Sequence, residues 1–413
     1  MRSRSILISL AVVASLAASL AACGGGGGGS TGGTIPNPGS TATPTPGSTA
    51  TPTPASTATP TPIPSPTVTP GTSSSGIWVS EPYNIVSTSA QNGVVEKFAP
   101  SANGDSAPAQ SFTTPFSSWA NLRGVQTDNA GNVYVLDIGN TQQANLPYVE
   151  IFSPAANGSV SPTSTIGGSN TTMTASSAVV DMAVTPTGGV FVSQGTVGNW
   201  ALDYFAPTNR GNVTPTCAML NQRFYIRFMR YDGWTGNIVA LGYDSTSNQY
   251  VLENLQPNTS TCALTAVGYS QPLGNFDAED LAVDANNVYL IGYDGGTSKQ
   301  GEITLAKSGL TGSGFPIVPT SSAEWAAGAV VGGAAVLAGY KIGVTPTGTV
   351  WLGAAEDQGG NPTTGVLISL PVGSSNPSAV VYGGAPSTSC PMAQQNAGIT
   401  GLCQVVGGIA NAP

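Results

Sequence analysis

The sequence predicts an all-β chain in which six four-stranded sheets close into a ring, a six-bladed β-propeller, behind a leader and a long polar linker. A hairpin occurs twice almost unchanged: DMAVTPTGGVFVSQ from Asp181 returns as KIGVTPTGTVWLGA from Lys341, with Val-Thr-Pro-Thr-Gly identical in both copies. A short apolar second strand recurs at intervals of about 50 to 60 residues, the spacing of propeller blades and not of solenoid turns. Gly (54) and Pro (32) are abundant while charged residues make up only 8 %, so long amphipathic helices have little from which to build a polar face.

At the start of the chain, Arg2 and Arg4 precede an apolar run from Ile6 to Leu20, followed by Leu20-Ala21-Ala22-Cys23. A positive start, a short apolar core and small residues before a cleavage point are the parts of an export leader. The run is short for a membrane span, which takes about 20 residues. The final four residues resemble the lipobox of bacterial lipoproteins. That resemblance implies that residues 1–22 are a lipoprotein signal peptide and that Cys23 becomes the lipid-bearing first residue, with the membrane as its partner. Gly24 stands where the inner-membrane retention signal typically has Asp, so the implied location is the bacterial cell envelope, as an outer-membrane lipoprotein on the periplasmic or the exposed side.

Residues 23–75 form the lipidated end and a disordered linker. Six glycines, 24–29, are followed by STATPTPG, STATPTPA and STATPTPI from Ser40, Ser48 and Ser56. Alternating Thr and Pro favours polyproline II and offers no apolar face to bury. At 3.1 Å per residue, a stalk of about 50 residues reaches at most ~150 Å.

Residues 76–413 carry the blades. The second strands are Ile77-Trp78-Val79, Val133-Tyr134-Val135, Val190-Phe191-Val192, Ile238-Val239-Ala240, Val288-Tyr289-Leu290 and Val350-Trp351-Leu352. Third strands follow, such as Val94-Val95-Glu96-Lys97-Phe98 and Tyr148-Val149-Glu150-Ile151-Phe152. Three of them run on as FAPSANGDSAP, FSPAANGSVSP and FAPTNRGNVTP, which predicts a glycine turn and an outer fourth strand. Asp128-Asn129-Ala130-Gly131-Asn132-Val133-Tyr134-Val135-Leu136-Asp137 is the best instance of a pattern that resembles the NHL-like and related bacterial six-bladed propellers. The resemblance covers nearly all of 77–413 and implies the fold, not an activity.

Ile77 has no first strand before it, while Val405-Val406-Gly407-Gly408-Ile409-Ala410 ends the chain without an apparent partner. Joined end to start, the two reproduce the hairpin of the other blades. The C-terminal segment is therefore expected to supply the innermost strand of the first blade and close the ring. With Cys23 committed to lipid, Cys217, Cys262, Cys390 and Cys403 remain, an even number suited to disulfides in an oxidising compartment. Three pairings are possible; Cys390–Cys403, which bracket a short loop, and Cys217–Cys262, at similar places in successive blades, are favoured.

Composition excludes several functions. The formal net charge is −9, which repels nucleic acid and anionic lipid headgroups, so no nucleic-acid partner is expected. There is no histidine, which removes the commonest general base and metal ligand. The sequence pattern places Gly124, Asp181, Arg227, Asp280, Lys341 and about Gly407 at one level of the innermost strands. The alternating charges Asp181, Arg227, Asp280 and Lys341 form either a self-satisfied plug or a tunnel pocket for a small ligand. Trp78, Tyr134, Phe191, Tyr289 and Trp351 read as core; Trp119, Trp200, Trp234 and Trp325 lie outside that register, where exposure would make them a sugar- or peptide-binding platform. Arg223, Arg227 and Arg230 beside the Asp232–Asn237 turn form a basic cluster suited to an anionic glycan or carboxylate partner.

The function expected is a lipid-anchored extracytoplasmic binding or scaffold module, non-catalytic and without cofactor, whose ligand is a protein, a peptide or a glycan. The alternative is a hydrolase acting on a lactone or sugar ester. Six-bladed lactonases of the gluconolactonase type hold a divalent cation with Glu, Asn and Asp, and that resemblance makes Glu279, Asp280, Asp181, Asn121 and Asn140 candidates for calcium or zinc. Propeller lyases of the virginiamycin type need a histidine that this chain lacks.

Overall fold

The computed structural model describes residues 76–81, 93–104, 106–113, 122–138, 146–173, 179–196, 199–220, 223–326, 329–331, 334–345, 348–357, 362–372, 374, 376–382 and 408–412. The chain divides into two units, Met1–Pro66 and Thr67–Pro413, and all described residues fall in the second. Cys23, Cys390, Cys403, Trp119, Asn121 and Asn140 lie outside the described residues, as do the leader and the linker.

Six antiparallel sheets form the blades, each running from an inner strand through second and third strands to an outer one. The inner strands of blades 2 to 6 are Leu122–Thr127, Val179–Val184, Phe224–Asp232, Phe276–Val283 and Ala334–Val344. That of blade 1 is Gly408–Ala412, from the far end of the chain. It pairs antiparallel with Gly76–Glu81, Trp78 opposite Ala410 and Val79 opposite Ile409, so the ring is closed by the C-terminal strand as the sequence predicts. Thr127 donates a 2.6 Å hydrogen bond from Oγ1 to the Asn411 carbonyl, fastening the closing strand to blade 2 as well.

The described residues of the repeated Val-Thr-Pro-Thr-Gly make the same turn contact in both copies. In blade 3 the Thr185 hydroxyl accepts from the Gly189 amide at 2.8 Å, and in blade 6 Thr345 accepts from Thr349 at 3.0 Å. Gly188 and Gly348 stand at φ 87° and 85°, a conformation that costs glycine nothing and a β-branched residue much. Asp128, Asp232 and Asp284 do the work of that threonine in blades 2, 4 and 5, accepting amides of the turn that follows.

The core lies between blades. Six apolar clusters occur among the described residues, one at each junction of the ring. Trp78, Tyr134, Phe191, Tyr289 and Trp351 are buried in them, as their recurrence in the second strand predicts. Trp200 and Trp325 are buried too, in the junctions of blades 3 with 4 and 5 with 6. Their place outside the repeat therefore reflects packing at the blade edge and not a platform; Trp234 alone of the described tryptophans is exposed, at 56 %.

The glycine tails act between blades. Gly158–Ser159, in the turn before the outer strand of blade 2, pairs in parallel with Phe112–Thr113 in the outer strand of blade 1. Gly104 bridges to Val381 of blade 6 and Gly211 to Ile166 of blade 2, each in parallel. Gly312–Phe315 of blade 5 pairs likewise with the outer strand of blade 4. Between blades 3 and 4 the same junction is covalent: Cys217 and Cys262 form a disulfide with Cα atoms 5.1 Å apart.

Candidate functional site

Inner strands present their edges to the central tunnel, so the side chains that reach it depend on where each strand bulges. In blades 2, 4 and 5 the register of inner against second strand shifts between Leu122 and Gly124, Ile226 and Phe228, and Ala278 and Asp280. Arg123, Arg227 and Glu279 are the extra residues. A bulge of this kind re-aims the side chain it carries. Opposite the matching residues of the second strands stand Gly124, Asp181, Phe228, Asp280 and Lys341. Phe228, not Arg227, thus occupies the fourth blade's position, and Gly408, not Gly407, the first blade's.

The cation between the two aspartates is Arg230. Its Nη1 donates to Asp181 Oδ2 at 3.2 Å and its Nη2 to Asp280 Oδ1 at 2.8 Å. Both carboxylates also fasten the inner strand of the next blade. Asp181 Oδ2 accepts the Met229 amide at 2.8 Å, and Asp280 Oδ2 accepts the Ile342 amide at 3.2 Å. Burial pushes the Asp181 carboxyl upward against the pull of Arg230. Burial also works against the Arg230 charge, yet Asp280 and Asp181 together hold the guanidinium above its ordinary value. Lys341 stays at the predicted level, with its ammonium 4.8 Å from the Phe228 ring centroid.

Gln126 makes a matching contact without charge, donating to the Met182 carbonyl at 2.6 Å and accepting the Val184 amide at 2.9 Å. Carboxylates and an amide thereby extend the hydrogen bonding of one blade's edge onto the next.

Arg230 lies at the floor of a cavity of about 230 Å³ where the inner strands end. All six blades line it: Gln126, Thr127 and Asn129 from blade 2; Val184 and Pro186 from blade 3; Tyr231 and Trp234 from blade 4; Val283 from blade 5; Ile342 from blade 6; Ile409 and Asn411 from blade 1. The Asp232 turn shapes the rim. Asp232 accepts the Trp234 amide at 3.1 Å and the Thr235 hydroxyl at 2.7 Å, and it pairs with Lys307 at 2.8 Å. The Lys307 ammonium is 4.9 Å from the centroid of the Trp234 ring.

The three arginines grouped by the sequence go to separate places. Arg223 pairs with Asp244 at 3.0 Å, between the rings of Phe224 and Tyr269. Arg227 pairs with Asp277 at 3.3 Å, both side chains being partly exposed. Glu279 lies nearby, its carboxyl pushed up to about 7 by burial and by Asp277. Among the described residues no three His, Cys, Asp or Glu side chains converge as a metal ion requires.

These features define a six-bladed β-propeller with an ion-locked tunnel and a cavity above the lock. No protein-family model matches the sequence, and no curated protein matches it. Among solved structures the chain is similar to a protein of unknown function from Bacteroides caccae, at 8 % identity over 82 % of this chain and 99 % of that one, with a TM-score of 0.47. It is also similar to the WD40 domain of Toxoplasma gondii coronin, at 12 % identity over 70 % and 65 % of the two chains and a TM-score of 0.40. A third likeness is to the exo-beta-1,3-galactanase of Phanerochaete chrysosporium, at 11 % identity over 62 % of each chain and a TM-score of 0.40. Likenesses this distant carry no functional argument.

Proposed function

We propose that this chain is a bacterial envelope lipoprotein, anchored through Cys23, whose NHL-like propeller at 76–413 stands on the Thr/Pro linker and binds a small ligand in the cavity above Arg230. One observation carries the binding role: the lining holds amides, hydroxyls, apolar groups and an aromatic rim, and its ionisable members are Arg230 and Tyr231. No carboxylate is among the described lining residues to act as base or nucleophile, and Asp181 and Asp280 lie buried against Arg230. The four predicted charges divide accordingly: Asp181 and Asp280 hold the floor, Lys341 flanks it, and Arg227 lies apart.

Asn129, exposed on the blade 2 turn, lines the cavity. Asn129→Trp fills the mouth without touching the core, so a small-molecule screen by thermal shift should find ligands that stabilise the wild type and not the variant. Ligands that stabilise both equally would refute the cavity as the site. For the anchor, Cys23→Ser should move the protein from the membrane to the soluble fraction of cells.

The second reading, a metal-dependent hydrolase of lactones or sugar esters, is favoured by Glu279, whose raised carboxyl has an Oε2 with no hydrogen-bond partner. Calcium or zinc would then raise the melting temperature and a chelator would reverse it, with Glu279→Gln abolishing both the shift and ester hydrolysis. Absence of any divalent-ion shift would leave the binding role standing.

A further inference from the structure

We infer that the cavity takes an uncharged sugar ring stacked on Trp234. This rests on the cavity being the ligand site, and it adds the chemical class.

Charge narrows the choice first. Arg230 is the cation of the lining, and its two terminal nitrogens are held by Asp181 and Asp280 at 3.2 and 2.8 Å. The guanidinium at the floor is therefore committed to two carboxylates buried beneath it, and a carboxylate ligand would find no uncommitted positive charge there. A cationic ligand fares no better at the rim. The ammonium of Lys307 already lies 4.9 Å from the Trp234 centroid while donating to both oxygens of Asp232, at 2.9 and 2.8 Å. An approaching cation would meet like charge beside the aromatic face.

Shape and polarity narrow it further. The walls set apolar Val184, Pro186, Ile342 and Ile409 against the polar Thr127, Asn129 and Asn411. A saturated ring with hydroxyls around its edge and C–H groups on its faces matches such a lining, whereas a purely apolar ligand would strand the amides. At about 230 Å³ the cavity is smaller than the ~300 Å³ at which drug-sized sites begin, which suits one ring and not an extended chain.

Trp234 is the third element. An exposed indole leaves apolar area in water that burial elsewhere would remove, and the chain buries Trp78, Trp200, Trp325 and Trp351. The blade 4 turn from Asp232 to Asn237 is one residue longer than the blade 2 turn from Asp128 to Asn132. The added length carries Trp234 to the rim, and hydrogen bonds to Asp232 from the Trp234 amide and the Thr235 hydroxyl hold the turn there. A fixed, half-exposed indole beside a polar cavity is a stacking surface prepared before the ligand arrives.

The test is calorimetric titration, with tryptophan emission as a second readout, of the processed chain with methyl glycosides of glucose, galactose, mannose and N-acetylglucosamine, and with glucuronate and glucosamine. At least one neutral glycoside should bind saturably and change the emission, with the charged sugars about tenfold weaker or more. Trp234→Ala should weaken that binding about tenfold while leaving the melting temperature almost unchanged, because the side chain is exposed. Charged sugars binding as well as neutral ones, unaltered binding by Trp234→Ala, or no binding of any neutral glycoside would each overturn the sugar class. Asn129→Trp separates the two levels. A sugar that still binds this variant places the site elsewhere, whereas a non-sugar ligand lost in the variant keeps the cavity and discards the class.

Discussion

Cys262 holds in blade 4 the place that Gly211 holds in blade 3. Each stands in the turn between third and outer strands, with φ of 53° and 86° respectively. Each reaches the outer strand of the preceding blade, Gly211 by parallel pairing with Ile166 and Cys262 by its bond to Cys217. The disulfide therefore covalently fastens a junction that neighbouring blades fasten through the backbone.

The double variant Cys217→Ser, Cys262→Ser should accordingly lose about 2–4 kcal/mol, the usual contribution of a bridge closing a loop of this size. It should still fold, because the parallel pairings at Gly104, Gly158, Gly211 and Gly312 remain. Urea unfolding of the oxidised wild type against the variant measures the difference. A midpoint that does not move would mean that the bridge adds nothing to this junction.

Asp280 and Arg227 are both acid–base partners near the tunnel, yet their substitution should differ several-fold in cost. Asp280 is fully buried and serves Arg230 and the Ile342 amide together, so Asp280→Ala leaves one arm of a buried guanidinium and a buried amide unpaired, with Asp181 alone on Arg230. Breaking a buried pair in this way costs about 3–5 kcal/mol. Arg227 and Asp277 are partly exposed, and Arg227→Ala should cost no more than about 1 kcal/mol. Denaturant midpoints for the two variants would refute this ranking if they came out equal.

Most of the ring was legible in the sequence because each blade repeats a turn chemistry and a branched second strand. Val344-Thr345-Pro346 repeats Val184-Thr185-Pro186 residue for residue, and closure follows from the strand-forming ends at Ile77 and Ile409. The tunnel level was legible only in part. Asp181, Asp280 and Lys341 fall where the pattern puts them, whereas Phe228 holds the level in blade 4, where the turn to the second strand is one residue longer than in blade 2. Arg230 opposes Val239, two residues along the strand from that level, and reaches both aspartates through the length of its side chain, which strand pattern does not encode. The glycine tails carry the residue types of turns; their parallel pairing with the preceding blade is a contact between distant segments, which local pattern does not encode.

Closure by the last strand makes the C-terminus a structural element of the first blade. Residues 408–412 pair along their length with Gly76–Glu81, Ile409 is buried in the junction of blades 6 and 1, and the Asn411 carbonyl accepts from Thr127. Deleting 404–413 removes the inner strand of blade 1 and opens the inner edge of Gly76–Glu81. Calorimetry should then show a broad transition at lower temperature in place of a single cooperative one. A truncated protein melting like the full chain would show that the ring does not depend on its clasp.

Buried acids at the blade junctions reverse the usual direction of pH dependence. Glu150 is fully buried, neither carboxyl oxygen has a hydrogen-bond partner, and burial with Asp137 nearby pushes its pKa from 4.5 to about 8. Asp203 holds the matching place in blade 3, as Glu150 opposes Val135 and Asp203 opposes Val192, but there Gln194 and Thr172 donate to the carboxylate. Glu150 lacks those donors and enters the fold as the neutral acid. Because its folded pKa is raised, its contribution to stability is complete below pH about 4.5 and is lost as the pH climbs through about 8. Glu302, raised to about 7 by burial, acts in the same direction. Asp244 opposes them at the acid end: hydrogen bonding to Arg223 holds its pKa below the ordinary value of 3.8, so its contribution is lost as the pH falls through that depressed range. Stability should therefore be greatest in mildly acidic solution, near pH 4 to 5, and decline toward pH 9. Glu150→Gln should match the wild type near pH 5 and exceed it at pH 9 by on the order of a few kcal/mol, at about 1.4 kcal/mol per pKa unit. Urea unfolding of both proteins from pH 4 to 9 measures the gap, and an equal decline in the two would show that Glu150 does not carry the proton.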